Sequence, residues 1–291
     1  MMGALLQQGF VQNAFLAGTA VAIVAAVVGY FVILRALAFA SESLSHLGFA
    51  GAVGASLFGL TSLAGAFVFT LLGALGIGIL GERRRGHDIE TGMVLSFALG
   101  LGVLFLGLYA SGTNANTTVT VLFGSILSVT SQAVRETVGT GLLVLILLAL
   151  LFRPLLFASI DPDVAQARGI PVRLCSVMFL LLLGITVATS IQVVGTLLVF
   201  ALLLAPAATA QHWTRRPLAT IALAVGLSLL FTWGGLTLAF VKLGHQMPVS
   251  FSISTLAALC YGVSFLLRRR VFFDREALRH GQNVDSRVSE W

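Results

Sequence analysis

Apolar runs of about membrane-spanning length recur along the whole chain, and they leave few folds open. They lie at about 12–34, 36–60, 62–80, 91–110, 134–152, 172–190, 193–212, 218–240 and 250–267. A bilayer core about 30 Å thick takes roughly 20 apolar residues per helix. Between these runs little charge is left: 10% of residues are charged and 58% hydrophobic, where a soluble domain carries about 25% charged residues. The pattern predicts an all-α membrane protein, a polytopic helical bundle of about nine transmembrane helices. A membrane β-barrel would need alternating segments of roughly 10 residues, which the sequence lacks. The first basic residue is Arg35, so the N-terminus lacks the basic region of a cleaved signal, and 12–34 reads as a retained span.

Counting the basic residues orients the bundle. With alternating spans and an outside N-terminus, Arg35, Arg83, Arg84, Arg85, Arg153, Arg168, Arg173, Arg215, Arg216, Arg268, Arg269, Arg270, Arg275, Arg279 and Arg287 fall inside. Arg135 and Lys242 fall outside. That bias is what the positive-inside rule expects. The predicted topology is therefore N-terminus outside and C-terminus cytoplasmic, with 271–291 a cytoplasmic tail. The same placement accounts for the sequence pI near 10.3 without invoking nucleic acid.

Several motifs carry no chemistry here. "GIGILG" (76–81) matches a dinucleotide fingerprint literally, but it ends an apolar run with no preceding strand. Cys175 and Cys260 stand in separate runs without metal-ligand spacing. Most glycines sit at small-xxx-small spacing, such as Ala50/Gly54 and Gly51/Ala55, which lets helices approach closely in lipid. Asn116 opens a sequon in a polar stretch. Ser45 and His46 do not form the pair an intramembrane hydrolase would use, because they are adjacent and do not face each other on a helix. Lys242 is the sole lysine, in "VKLGHQ", so the chain has no P-loop lysine and any ATP-driven step needs a partner.

The informative stretch is "SESLSH" (41–46). Among the acidic residues Glu42 alone lies well inside an apolar run, the others sitting in loops, at span ends or in the tail, and among the histidines His46 alone lies well inside one. Ionisable groups at such depth are costly and face a bundle interior or a wet path. At i and i+4 they share one helix face, placing one oxygen and one nitrogen ligand side by side. Such a pair suits divalent transition metals. It equally suits proton handling, or a Glu–His hydrogen bond that pins two helices.

Three stretches carry a resemblance to a known family. "ESLSHLGFAG" (42–51) is similar to the Asp-Ala-Leu-Ser-His segment of the permease subunits of zinc/manganese/iron-type ABC importers. Glu42 stands where that family usually has Asp, with Ser43, Leu44, Ser45 and His46 in register. Ala50 stands where many members have proline. "LFGSIL" (122–127) resembles a short signature after the fourth span. "SIQVVGTLLVFALLLAPAATA" (190–210) is close to the family's most recognisable stretch.

The resemblance implies a permease domain over 1–270 that moves a divalent metal ion across the bacterial cytoplasmic (inner) membrane. The metal is cargo, with no permanently bound cofactor; zinc is favoured, and manganese and iron also fit. Implied partners are a second copy of the chain, separate ATPase subunits, an extracytoplasmic metal-binding protein and the lipid bilayer. Glu42 and His46 are the expected metal contacts, and Gly195 and Pro206 mark a pathway helix. The segment 159–173 is implied to couple to the ATPase through Asp161, Pro162, Ala165 and Gly169. Its local chemistry agrees with a short capped helix: Asp161 as N-cap, Pro162 at the first helical position, and Gly169 as a left-handed stop before Pro171. The alternatives are an ATP-independent secondary metal or proton-coupled transporter and, remotely, an intramembrane hydrolase. Gln192 and His245 are further polar positions expected near the outer mouth.

Overall fold

A computed structural model of the chain describes residues 9–80, 87–110, 124, 126, 129–214, 216–241 and 249–267. Lys242, His245, Arg83–Arg85, Asn116, most of 122–127 and the tail 271–291 lie outside the described residues. The helices are α1 (Gly9–Leu34), α2 (Ala38–Leu57), α3 (Ser62–Leu80), α4 (His87–Ala110) and α5 (Ser131–Ile160). There follow α6 (Pro162–Ala167), α7 (Val172–Val194), α8 (Thr196–Trp213) and α9 (Pro217–Val241), and α10 (Val249–Leu267). All but the six-residue α6 are of membrane-spanning length.

Eight of these helices are long and apolar enough to cross a bilayer, and α2 is not among them. Glu42, His46 and four serines dilute its hydropathy. Its 20 residues still reach about 30 Å at 1.5 Å per residue. In lipid, where hydrocarbon is as apolar as leucine, polar positions of this kind must be held by protein neighbours. The neighbours are close: a Cβ at Gly51 would fall 2.3 Å from the Gly65 carbonyl oxygen, and one at Gly65 would fall 2.1 Å from that of Gly51. Only glycine on both sides allows α2 and α3 to cross backbone to backbone.

Pairwise contacts order the bundle. Along α2 and α3, Leu47 meets Gly73, Gly48 meets Thr70 and Gly51 meets Gly65, so the two run antiparallel. Ser43 Oγ donates to Thr91 O at 3.0 Å and Gly102 packs on Phe49, so α2 and α4 run parallel. The α1 and α7 spans are each 67% buried inside the bundle, whereas the α4 span is 17% buried. The first two form the centre, and α4 presents Phe97, Val103 and Leu108 outward. Phe31 of α1 stacks edge-on against Phe152 of α5, 5.7 Å between centroids, and Arg35 bonds Ser176 of α7. One end of the bundle therefore gathers Arg35, Arg153 and Arg173.

Two predicted boundaries are corrected. The run expected at 134–152 is helical over 131–160, continuing through Pro154. The run expected to start at 193 does not contain Gly195 as a helical residue. Gly195 breaks the chain between α7 and α8 with φ +82° and ψ +165°.

Candidate functional site

From Ala40 to Ala55 every residue of α2 is buried except Glu42 and His46, which are half-buried. The serines around them do not compete for that opening. Ser41 Oγ donates to Ala38 O at 2.7 Å, Ser43 Oγ shares its proton between Phe39 O at 2.8 Å and Thr91 O, and Ser45 Oγ donates to Ser41 O at 2.9 Å. Back-bonding of this kind satisfies a hydroxyl within its own helix. The two ionisable side chains are thus left as the polar groups with open surface.

Phe39, Glu42 and His46 follow at i, i+3 and i+7, and so form one stripe. Phe39 at the Ala38 end is 54% exposed. The stripe closes past His46, where Phe49 and Val53 are buried. Glu42 and His46 supply one carboxylate and one imidazole, with Cβ atoms about 6 Å apart on one face. No third His, Cys, Asp or Glu joins them to make a metal-holding group among the described residues. Among the described residues a single chain therefore brings two such ligands to this stripe.

The segment expected to couple to an ATPase forms a capped helix. Asp161 Oδ1 accepts from Val164 N at 3.0 Å, and Pro162 occupies the first helical position. At the other end Gly169 N donates to Gln166 O and Ile170 N to Ala165 O, both at 3.0 Å. That is a Schellman ending with Gly169 at φ +80°; it satisfies carbonyls that a helix end leaves open. Ala165 is the buried residue of α6, and its other five face outward. Arg168 lies over the Phe157 ring at 5.9 Å, fixing the base of this projection.

Gly195 and Pro206 are both buried. Pro206 sits inside α8, which continues to Trp213. Gly195 meets Gly124: a Cβ at 124 would fall 2.3 Å from Val194 C and 2.5 Å from Gly195 N. Gly124, the described glycine of one family-like stretch, therefore meets the helix break that lies in the other. Gln192 is exposed at the end of α7, and the structure does not bring it to a described partner. Sequence reasoning missed the setting of Arg35, which looks from its position like any cation at a span end.

Comparison with known proteins agrees with this architecture. The ABC 3 transport family matches residues 7–268. The manganese import system permease protein ScaB of Streptococcus parasanguinis is 33% identical over 275 residues, covering 94% of this chain and 96% of the relative. The manganese transport system membrane protein MntC of Halalkalibacterium halodurans is 32% identical, covering 90% of this chain and 88% of the relative. Among solved structures, PsaBC from Streptococcus pneumoniae in complex with Fab superposes with a TM-score of 0.79 at 31% identity, covering 91% of this chain and 94% of that one. With a bundle of this form and a family match along almost its whole length, the chain belongs to the ABC 3 transport family, as a transport subunit and not an enzyme.

Proposed function

We propose that the chain is the membrane-spanning subunit of a bacterial importer for a divalent transition metal, and that Glu42 and His46 contact the ion in transit. The observation that carries this reading is their placement: on a helix otherwise sealed from Ala40 to Ala55, these two positions alone keep open surface. An aquo ion entering an apolar bundle must exchange waters for protein ligands. A carboxylate offsets its charge and an imidazole adds a nitrogen donor. Two copies facing one seam would offer up to four ligands, two from each chain. Binding there is weak enough for release, because an ion that cannot leave is not transported.

Energy comes from a partner, since the only lysine lies at position 242 and no P-loop motif is present. The exposed α6 is the docking element for that ATPase, and an extracytoplasmic binding protein delivers the ion. The clustering of Arg35, Arg153 and Arg173 at one end supports an N-out, C-in orientation in the cytoplasmic membrane. The names of the relatives support manganese as cargo ahead of the zinc expected from His46. A carboxylate–imidazole pair accommodates manganese well.

The test is reconstitution of the chain with its ATPase and binding protein in liposomes, with manganese, zinc and iron offered singly. The reading predicts ATP-dependent metal accumulation, fastest for manganese. Accumulation that proceeds without the ATPase would replace it with a secondary transporter.

A further inference from the structure

Arg35 occupies the turn between α1 and α2, and its side chain is held by α7. Its Nη2 donates to Ser176 Oγ, which itself donates to Val172 O at 3.0 Å. The guanidinium carbon stands 5.7 Å from the centroid of the Phe179 ring, within cation–π range. Nη1 is buried and has no hydrogen-bond partner among the described residues. Ser176 and Phe179 lie at i and i+3, so α7 presents both from one face to the same cation.

The turn that carries Arg35 is itself stiff. Leu37 N donates to Val32 O at 2.8 Å and Ala36 N to Ile33 O at 3.1 Å, a Schellman ending. The endings at Gly59 and Gly169 use glycine for the left-handed residue, with φ +69° and +80°; here Ala36 takes it at +54°. An apolar residue at 35 would fasten this turn to Phe179 without desolvating a charge. A half-buried cation with a buried spare donor suits a contact that must re-form on a new acceptor when its neighbour moves.

Chain order shows which neighbours it joins. α6 ends at Ala167 and its capping turn at Gly169, and α7 starts at Val172 and reaches Ser176 in its second turn. On the other side, α2 starts at Ala38 and reaches Glu42 in its second turn. We infer that Arg35 is a positioning residue that transmits movement of α6, through Ser176 and Phe179 at the start of α7, to the helix bearing Glu42 and His46. The inference rests on the proposed function, and it makes Arg35 the mechanical link between hydrolysis and the ion path.

The experiment uses the complete transporter in liposomes and reads two ratios: metal ions moved per ATP hydrolysed, and stimulation of hydrolysis by the binding protein. Arg35→Met keeps bulk and removes the charge and donors, Arg35→Lys keeps the charge, and Ser176→Ala removes the acceptor alone. Arg35→Met is expected to co-purify with the ATPase and hydrolyse ATP near the parental rate. Its ions per ATP should fall about tenfold, the usual size of coupling between two sites. Arg35→Lys recovers part of this, and Ser176→Ala shows a smaller fall. Parental ratios in Arg35→Met overturn the inference, as does a proportional loss of transport and hydrolysis in both Arg35→Met and Ser176→Ala. If Arg35→Met fails to assemble, Ser176→Ala decides: an unchanged ratio overturns the link. A parent that hydrolyses ATP but carries no divalent metal contradicts the proposed function instead. The link is then read from stimulation by the binding protein, which Arg35→Met loses if the inference holds and keeps if it does not.

Discussion

Gly124 rests on the Val194–Gly195 peptide so closely that a Cβ at 124 would fall 2.5 Å from the Gly195 nitrogen. Both residues take left-handed backbone, with φ +75° and +82°. Each is thus confined to glycine by its own dihedral, and Gly124 also by its neighbour. The contact fixes where α7 stops and α8 begins, inside the apolar part of the bundle.

Alanine at either position should therefore destabilise the protein. A left-handed alanine costs about 1–2 kcal/mol, and at 124 the backbone clash adds to this. Gly76→Ala is the control: nothing stands within 4 Å of a Cβ there, and a mid-helix glycine costs about 0.5–1 kcal/mol relative to alanine. Thermal unfolding in detergent should show lowered midpoints for Gly124→Ala and Gly195→Ala, and an unchanged or raised one for Gly76→Ala.

The α6 projection depends on its caps. Asp161→Ala removes the acceptor of Val164 N and should weaken the helix by about 1 kcal/mol. Gly169→Ala forces alanine to φ +80°, at about 1–2 kcal/mol. α6 has six residues and is marginal in water by itself, so its ordering depends on both ends. Pull-down of the ATPase should fall in each variant while membrane insertion stays at the parental level. Full retention with fully stimulated hydrolysis would remove α6 as the docking element.

Ala36 carries a left-handed conformation that glycine would take freely. Ala36→Gly relieves about 1–2 kcal/mol of strain and costs about 0.5–1 kcal/mol in unfolded-chain freedom. The expected result is a small gain in detergent stability, up to about 1.5 kcal/mol. A lower unfolding midpoint would show that the Arg35 turn is not strained.

Much of this architecture was legible because lipid imposes one rule on every span. Glu42 and His46 stood out for the same reason: ionisable groups inside an apolar run need a cause. The α6 caps were legible because Asp161, Pro162 and Gly169 act within a few residues of one another. Three features were not. The run expected to close at 152 continues as α5 through Pro154, and nothing local distinguishes a tolerated proline from a breaking one. Gly195 was expected within a pathway helix and instead forms the break before it, because its partner Gly124 is distant in sequence. Arg35 looked like an ordinary cation at a span end, since Ser176 and Phe179 reach it only through the fold.

The most direct test of the central claim is metal uptake by the Glu42→Ala/His46→Ala double variant in the complete transporter, at equal membrane abundance and with the ATPase bound. The account predicts that uptake is abolished while insertion and subunit association are retained. Uptake at the parental rate would contradict it.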